Sequence, residues 1–168
     1  MWRQKRGFFV VGRLMMPWQD SRQIQTALES VYNGILATRM AGLPIVNTAL
    51  SVQAVGFARF DGDWLGVLLT PWCMNLFLLP GSDSTWLNGP IGVCVEKRFP
   101  YGTFAFTVGH EGQLGHFAQC SLFSPMFEFA DQAAALATAQ AVLQNLLAVP
   151  EPRGLSRRDW LRGAIGQR

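Results

Sequence analysis

The sequence predicts an α+β domain: a mainly antiparallel sheet of about six strands with an N-terminal and a C-terminal helix packed against it. Apolar residues recur at three- and four-residue steps in two stretches, near residues 20–40 and 129–149, as on a helix with one buried face. Between them, residues 48–123 break into short apolar runs separated by Gly, Pro and Asp, the punctuation of strands and tight turns. The length of 168 residues suits one domain with a core of its own.

Taken in order, residues 1–16 carry Arg3, Lys5, Arg6 and Arg13 around an apolar run of only four residues, 8–11. That run is too short for a secretory signal, so a flexible extension is expected. Ile24, Ala27, Leu28, Val31 and Ile35 mark the first helix, with Asp20 or Ser21 able to cap it and Gly42 and Pro44 able to end it. Runs 52–60 and 64–70 flank Asp61-Gly62-Asp63, a hairpin signal. Run 64–69 is apolar on both faces, which suits a strand covered on both sides. Further strands are expected at 75–79, 91–98, 103–109 and 113–123, with a turn at 110–112. Alternation puts Phe104, Phe106 and Val108 on one face, and Phe117, Ser121 and Phe123 on one face of the last strand. The second helix shows a stripe of Phe129, Ala133, Leu136, Gln140, Leu143 and Leu147, with Asp131 in its first turn and Pro150 and Pro152 beyond its end. The chain thus divides into an extension (1–16), one domain (17–150) and a flexible basic tail (151–168).

Charged residues make up 15% of the chain, below the roughly 25% of an ordinary soluble domain. Such a body has apolar surface to hide in a partner or in a homodimer. No apolar run approaches the ~20 residues of a membrane helix, so no stable membrane insertion is expected. The net charge of +3 conceals an uneven distribution. The extension carries +4 and the tail +3, which leaves −4 on residues 17–150. A nucleic-acid binder concentrates Lys and Arg on its folded face, so that class is excluded.

Little in the body suggests turnover. Cys73, Cys94 and Cys120 form no CxxC pair, and thiols in a reducing cytoplasm are the plain reading. His110 and His116, the two histidines, fit no helical metal-ligand spacing. Asp61 and Asp63 read as turn residues, and no phosphate loop, nucleophile elbow or zinc-protease motif is present. The expectation is no catalytic residue, no metal and no cofactor. Two rivals stay open: a metal-handling or redox accessory using Cys73, Cys120 and His116, and a thiol or hydrolytic enzyme.

Aromatic residues beside prolines stand out instead, at three predicted strand ends: Pro71, Trp72 and Met74; Pro100 and Tyr101; Met126, Phe127 and Glu128. Converging on one edge, they would form an apolar groove for a peptide, with rings supplying contact area and Met adapting to the ligand. The tail holds Ser156-Arg157-Arg158-Asp159-Trp160-Leu161-Arg162, which reads as a twin-arginine export motif with no apolar segment behind it. It cannot act as an export signal in that place, and it suits a mimic of a ligand that the protein handles.

Four stretches, TPWCMNLFLLPG (70–81), FPYGTFAFTVG (99–109), CSLFSPMFEFADQAAALATAQAVL (120–143) and SRRDWLRG (156–163), resemble the HybE/HupJ/HoxT family of nickel–iron hydrogenase maturation chaperones. The similarity spans roughly residues 20–163, and residues 1–16 fall outside it. The resemblance implies a cytoplasmic chaperone, not an enzyme, that holds a hydrogenase subunit precursor until assembly is complete. The small subunit, which carries a twin-arginine signal, is the first candidate client and the large subunit the second. Some relatives add a rubredoxin domain; its CxxC pairs are missing here, so no iron centre carries over. On this reading Glu96, Glu128 or Asp131 would take the signal's arginines, while Trp72, Tyr101 and Phe127 take its apolar segment.

Overall fold

Both expected helices and all six strands form in the protein, seen in a computed structural model that describes residues 18–87 and 89–148. The expected extension (1–16) and tail (151–168) lie outside the described residues. Helix α1 (Ser21–Ala37) starts where Asp20 accepts a hydrogen bond from the Gln23 N–H at 2.7 Å, satisfying one of the donors that a helix N-terminus leaves unpaired. Ile24, Leu28 and Val31 are its buried residues.

The strands are β1 (Gln53–Phe60), β2 (Asp63–Leu69), β3 (Met74–Leu79), β4 (Cys94–Phe99), β5 (Gly102–Glu111) and β6 (Gly115–Phe123). Each neighbouring pair is antiparallel, in the order β1-β2-β3-β6-β5-β4. Two meanders, β1–β2–β3 and β4–β5–β6, therefore join along β3 and β6. Asp61 (φ 48°) and Gly62 (φ 81°) make the two-residue β1–β2 turn with both residues left-handed, as the strand twist requires. The fourth strand begins at Cys94, later than the expected 91.

The sheet curls into a half-barrel. Register slips by one residue between Val55 and Ala58, at Gly56 (φ 64°), and such a bulge sharpens the local twist. The curl is strong enough to bring the two edge strands together: Phe60 of β1 stacks on Phe99 of β4 at 4.8 Å. Lys97 of β4 reaches Asp63 at the start of β2, Nζ to Oδ2 2.7 Å. Asp63 also accepts from the Gly81 N–H (3.2 Å, Oδ1) and from the Trp86 indole N–H (2.9 Å, Oδ2), and only 1% of it is exposed. Read from sequence as a turn residue, it is the buried clasp between the two sheet edges.

Helix α2 (Gln132–Leu147) begins at Asp131, which is its N-cap and accepts from the Ala134 N–H at 2.8 Å. The helices pack on opposite faces. On the α1 side lie Trp64, Leu68, Phe77, Leu79 and Phe117; on the concave α2 side lie Leu65, Val67, Met74, Leu76, Leu78, Phe106 and Val108. Two glycines admit aromatic rings. A side-chain carbon on Gly66 would collide with the Phe57 ring, and one on Gly109 would sit 2.6 Å from the Phe117 ring.

Three further details differ from the sequence expectation. Helix α2 buries Ala135, Ala139 and Leu146, while Ala133, Gln140 and Leu147 are exposed, so the true stripe is rotated from the expected one. Ala and Leu make up ten of its 16 residues, and the small Ala side chains permit close approach to the sheet. His110 and Glu111 belong to β5, and the turn falls at residues 112–114. Finally, Phe117 stacks on Phe77 on the α1 side, whereas Phe123 packs against Phe129 on the other. An irregularity in the β3–β6 pairing at Met74/Asn75 changes the face along β6.

Candidate functional site

Strand register brings the three proline–aromatic segments to one end of the sheet. Met74 pairs with Phe123, so the β2–β3 turn (residues 70–73) lies beside the end of β6. The β4–β5 turn, with Pro100 and Tyr101, opens at that same end because β5 runs antiparallel to β6.

Asn47, in the α1–β1 connection, ties two of these loops together. Its N–H donates to the Pro71 C=O (2.8 Å), and its side-chain amide donates to the Met126 C=O (3.0 Å) and the Phe129 C=O (2.9 Å). Asn47→Ala keeps the backbone bond to Pro71 but leaves the Met126 and Phe129 carbonyls short of a donor, and is expected to cost about 2 kcal/mol. Chemical denaturation would measure the loss, and hydrogen exchange should rise first at residues 126–129.

The sequence-predicted contact residues divide into two groups. Tyr101 (65% exposed) and Phe127 (58%) present their rings to solvent, and Pro100 and Glu128 are exposed beside them. Trp72 is half-buried, stacked 6.5 Å from Tyr32 on the α1 side. Met74 and Met126 are fully buried in the concave core and Pro71 is buried in its turn, so these three offer no surface. Glu96 pairs across from Ala105 on the exposed outer face of β4 and so points away from the concave side.

The sheet parts at this end. Strands β5 and β6 pair from Glu111↔Gly115 to Thr107↔Gln119 only, although β6 continues to Phe123 along β3 and β5 starts at Gly102 along β4. Where the parted strands meet α2 lies an apolar cavity of about 280 Å³, lined by Leu76, Tyr101, Phe104, Leu122, Val142, Asn145 and Leu146. The Tyr101 N–H donates to the Leu146 C=O (3.3 Å), which fixes the turn to the last turn of α2. A larger depression of about 600 Å³ runs along α1, lined by polar residues with Ala27 and Val31, and contains no aromatic ring.

Residues 23–163 match the family described as NiFe-hydrogenase assembly, chaperone, HybE. The chain belongs to this family. It is 43% identical over 152 residues to the hydrogenase expression/formation protein HupJ of Bradyrhizobium diazoefficiens, covering 84% of this chain and 88% of that one. Protein HoxT of Cupriavidus necator is 45% identical over 138 residues, with 74% and 75% covered. The solution structure of HybE from Escherichia coli has the same fold, with a TM-score of 0.63 at 24% identity over 86% of this chain and 90% of that one.

The thiols and imidazoles of this HybE-family chain do not gather into one site. Cys120 and His116 stand four residues apart on β6, about 13 Å along the strand, and Cys73 lies beyond the strand's far end. Among the described residues no three His, Cys, Asp or Glu side chains are grouped to hold a metal ion. Burial pushes the thiol pKa of Cys73 up, against the hydrogen bonds from its neighbours, and burial does the same at Cys120. Both are therefore poorer thiolates than a free cysteine. His110 and His116 face each other across the hairpin with ring centroids 5.0 Å apart, a pairing that the expected turn position of His110 had hidden. Sequence reasoning also missed Asn47 and Asp63, since nothing in a lone Asn or a turn Asp shows which distant loops it will join. Among the described residues no helix is long and apolar enough to cross a membrane.

Proposed function

We propose that this HybE-family chaperone holds a hydrogenase small-subunit precursor in the cytoplasm by its twin-arginine signal until assembly is complete, without catalytic turnover. The signal's apolar segment enters the cavity between the parted ends of β5 and β6, and its arginine pair lies against the acidic body. The observation that carries this reading is the apolar cavity beside the exposed Tyr101 ring. A well-packed domain leaves few such openings, and a concave apolar site beside an exposed aromatic ring is what a peptide anchor needs. Glu128 and Phe127 are exposed in the loop at the same end, and residues 17–150 carry −4. Tyr101 and Phe127 supply apolar contact and Glu128 supplies charge, whereas Trp72 is stacked on Tyr32 on the α1 side, away from the cavity. Asp131 is already engaged as a helix cap, and Glu96 faces elsewhere. The large subunit remains the second candidate client.

The test is titration of the purified chain with a labelled small-subunit signal peptide and with a control in which both arginines are lysine. Lysine keeps the charge but loses the planar two-pronged hydrogen bonding of arginine. The expected result is saturable binding that weakens about tenfold in the control, the scale of one lost charge-assisted hydrogen bond. Equal binding of both peptides would remove arginine recognition. Binding of neither would move the contact to the mature subunit.

A further inference from the structure

We propose that the chain's own residues 156–161 dock in the cavity beside Tyr101 in cis, with Trp160 and Leu161 inside it, so that a client signal must displace a tethered copy of its own motif. This rests on the cavity being the signal-binding site, and it adds how that site is regulated. The first support is position. Leu146 lines the cavity and its carbonyl holds the Tyr101 N–H, and the described chain ends two residues later at Ala148 with extended backbone (φ −70°, ψ 131°). The remaining residues therefore depart from the cavity's own wall.

Length and composition support the same occupant. Eleven residues lie between Ala148 and Trp160, a reach of up to about 40 Å when extended, far more than a return to an adjacent cavity needs. Pro150 and Pro152 prevent the helix from running on, and Gly154 permits a turn back. Trp160 and Leu161 form an adjacent pair of large apolar side chains in residues 149–168. A volume of about 280 Å³ is at the lower limit of ligand pockets, roughly 300–1,000 Å³, and suits one or two side chains better than a whole small molecule. Charge agrees, since residues 151–168 carry +3 and residues 17–150 carry −4. The family match also continues past Ala148 and stops at residue 163, so it takes in the whole of 156–161.

In cis, even weak docking matters, because a short tether raises the local concentration to the order of 1 mM. If the free segment binds with a dissociation constant of about 100 µM, the tether weakens apparent client binding by about tenfold. The segment presents an arginine pair followed by apolar residues, the order in which a signal presents them, so the two compete for the same contacts.

The experiment compares the full-length chain with its Trp160→Ala/Leu161→Ala variant, using Ile165→Ala, outside the matched stretch, as control. Resonances of Phe104, Leu122 and Val142 should shift in the double variant, by the same amount at low and high protein concentration, and stay in place in the control. Labelled signal peptide should bind the double variant about tenfold more tightly. Unmoved cavity resonances would overturn the proposal. So would shifts that change with protein concentration, since they would place a neighbouring copy's tail in the site. If the cavity resonances shift but no signal peptide binds, self-docking stands and the client assignment fails; peptide binding with unmoved resonances gives the reverse.

Discussion

Asp63→Ala should cost the fold about 3–5 kcal/mol, the usual penalty for removing one partner of a buried ion pair. The carboxylate is the shared acceptor for Lys97, the Trp86 indole and the Gly81 N–H, and its removal strands all three at once. Lys97 can turn partly to Asp61, now 3.5 Å away, but Asp61 is solvent-exposed and a pair of that kind contributes little. The Trp86 and Gly81 donors have no such recourse. Against a total stability of roughly 5–15 kcal/mol, the midpoint of thermal unfolding should fall by on the order of 10 °C. Asp63→Asn, which keeps one acceptor oxygen, should fall between the variant and the parent. Denaturant titration checks both, and a loss under about 1 kcal/mol for Asp63→Ala would show that the sheet edges stay together without the clasp.

Tyr101→Ala should weaken binding of a labelled signal peptide by about thirtyfold, near the 2 kcal/mol that defines an interface hot spot. The ring is 65% exposed, forms part of the cavity wall and packs only loosely on Phe104, at 6.4 Å between centroids, so the free protein loses little by its removal. The backbone bond from Tyr101 to Leu146 persists in the alanine variant, which keeps the turn in place. Thermal stability should therefore stay close to the parent value while affinity falls. Unchanged affinity would shift the contact to another surface, with Phe127 next in line. A matching collapse in stability would instead make Tyr101 a core residue.

The secondary structure was legible because its determinants are local. Asp20 and Asp131 stand immediately before their helices and cap them, and Asp61-Gly62 supplies the two left-handed residues that a tight hairpin needs. What stayed hidden depends on residues far apart in the chain. The contact of Phe60 with Phe99 and the clasp of Asp63 with Lys97 exist only because the sheet curls until its edges meet. The rotation of α2 was hidden because an Ala- and Leu-rich helix has too few polar residues to mark its wet face. The candidate site was legible as a neighbourhood rather than residue by residue. Proline and aromatic punctuation marks strand ends, and antiparallel register brought those ends together. Whether a given side chain there points inward depends on the fold around each turn: Met74 opens a strand buried on both faces and Met126 is buried in its loop, while Tyr101 and Phe127 sit in turns that leave their rings outside.

The rings of Phe57 and Phe117 lie where side chains on Gly66 and Gly109 would otherwise stand, which makes each pair a single inheritable unit. A larger residue at either glycine collides with its ring, and a smaller residue at either phenylalanine opens a void beneath the sheet surface. Neither position is free to drift by itself. Across relatives, bulk is expected to pass from one member of a pair to the other by coupled exchange, leaving a trace of covariation between positions 57 and 66, and between 109 and 117, with no part in client recognition.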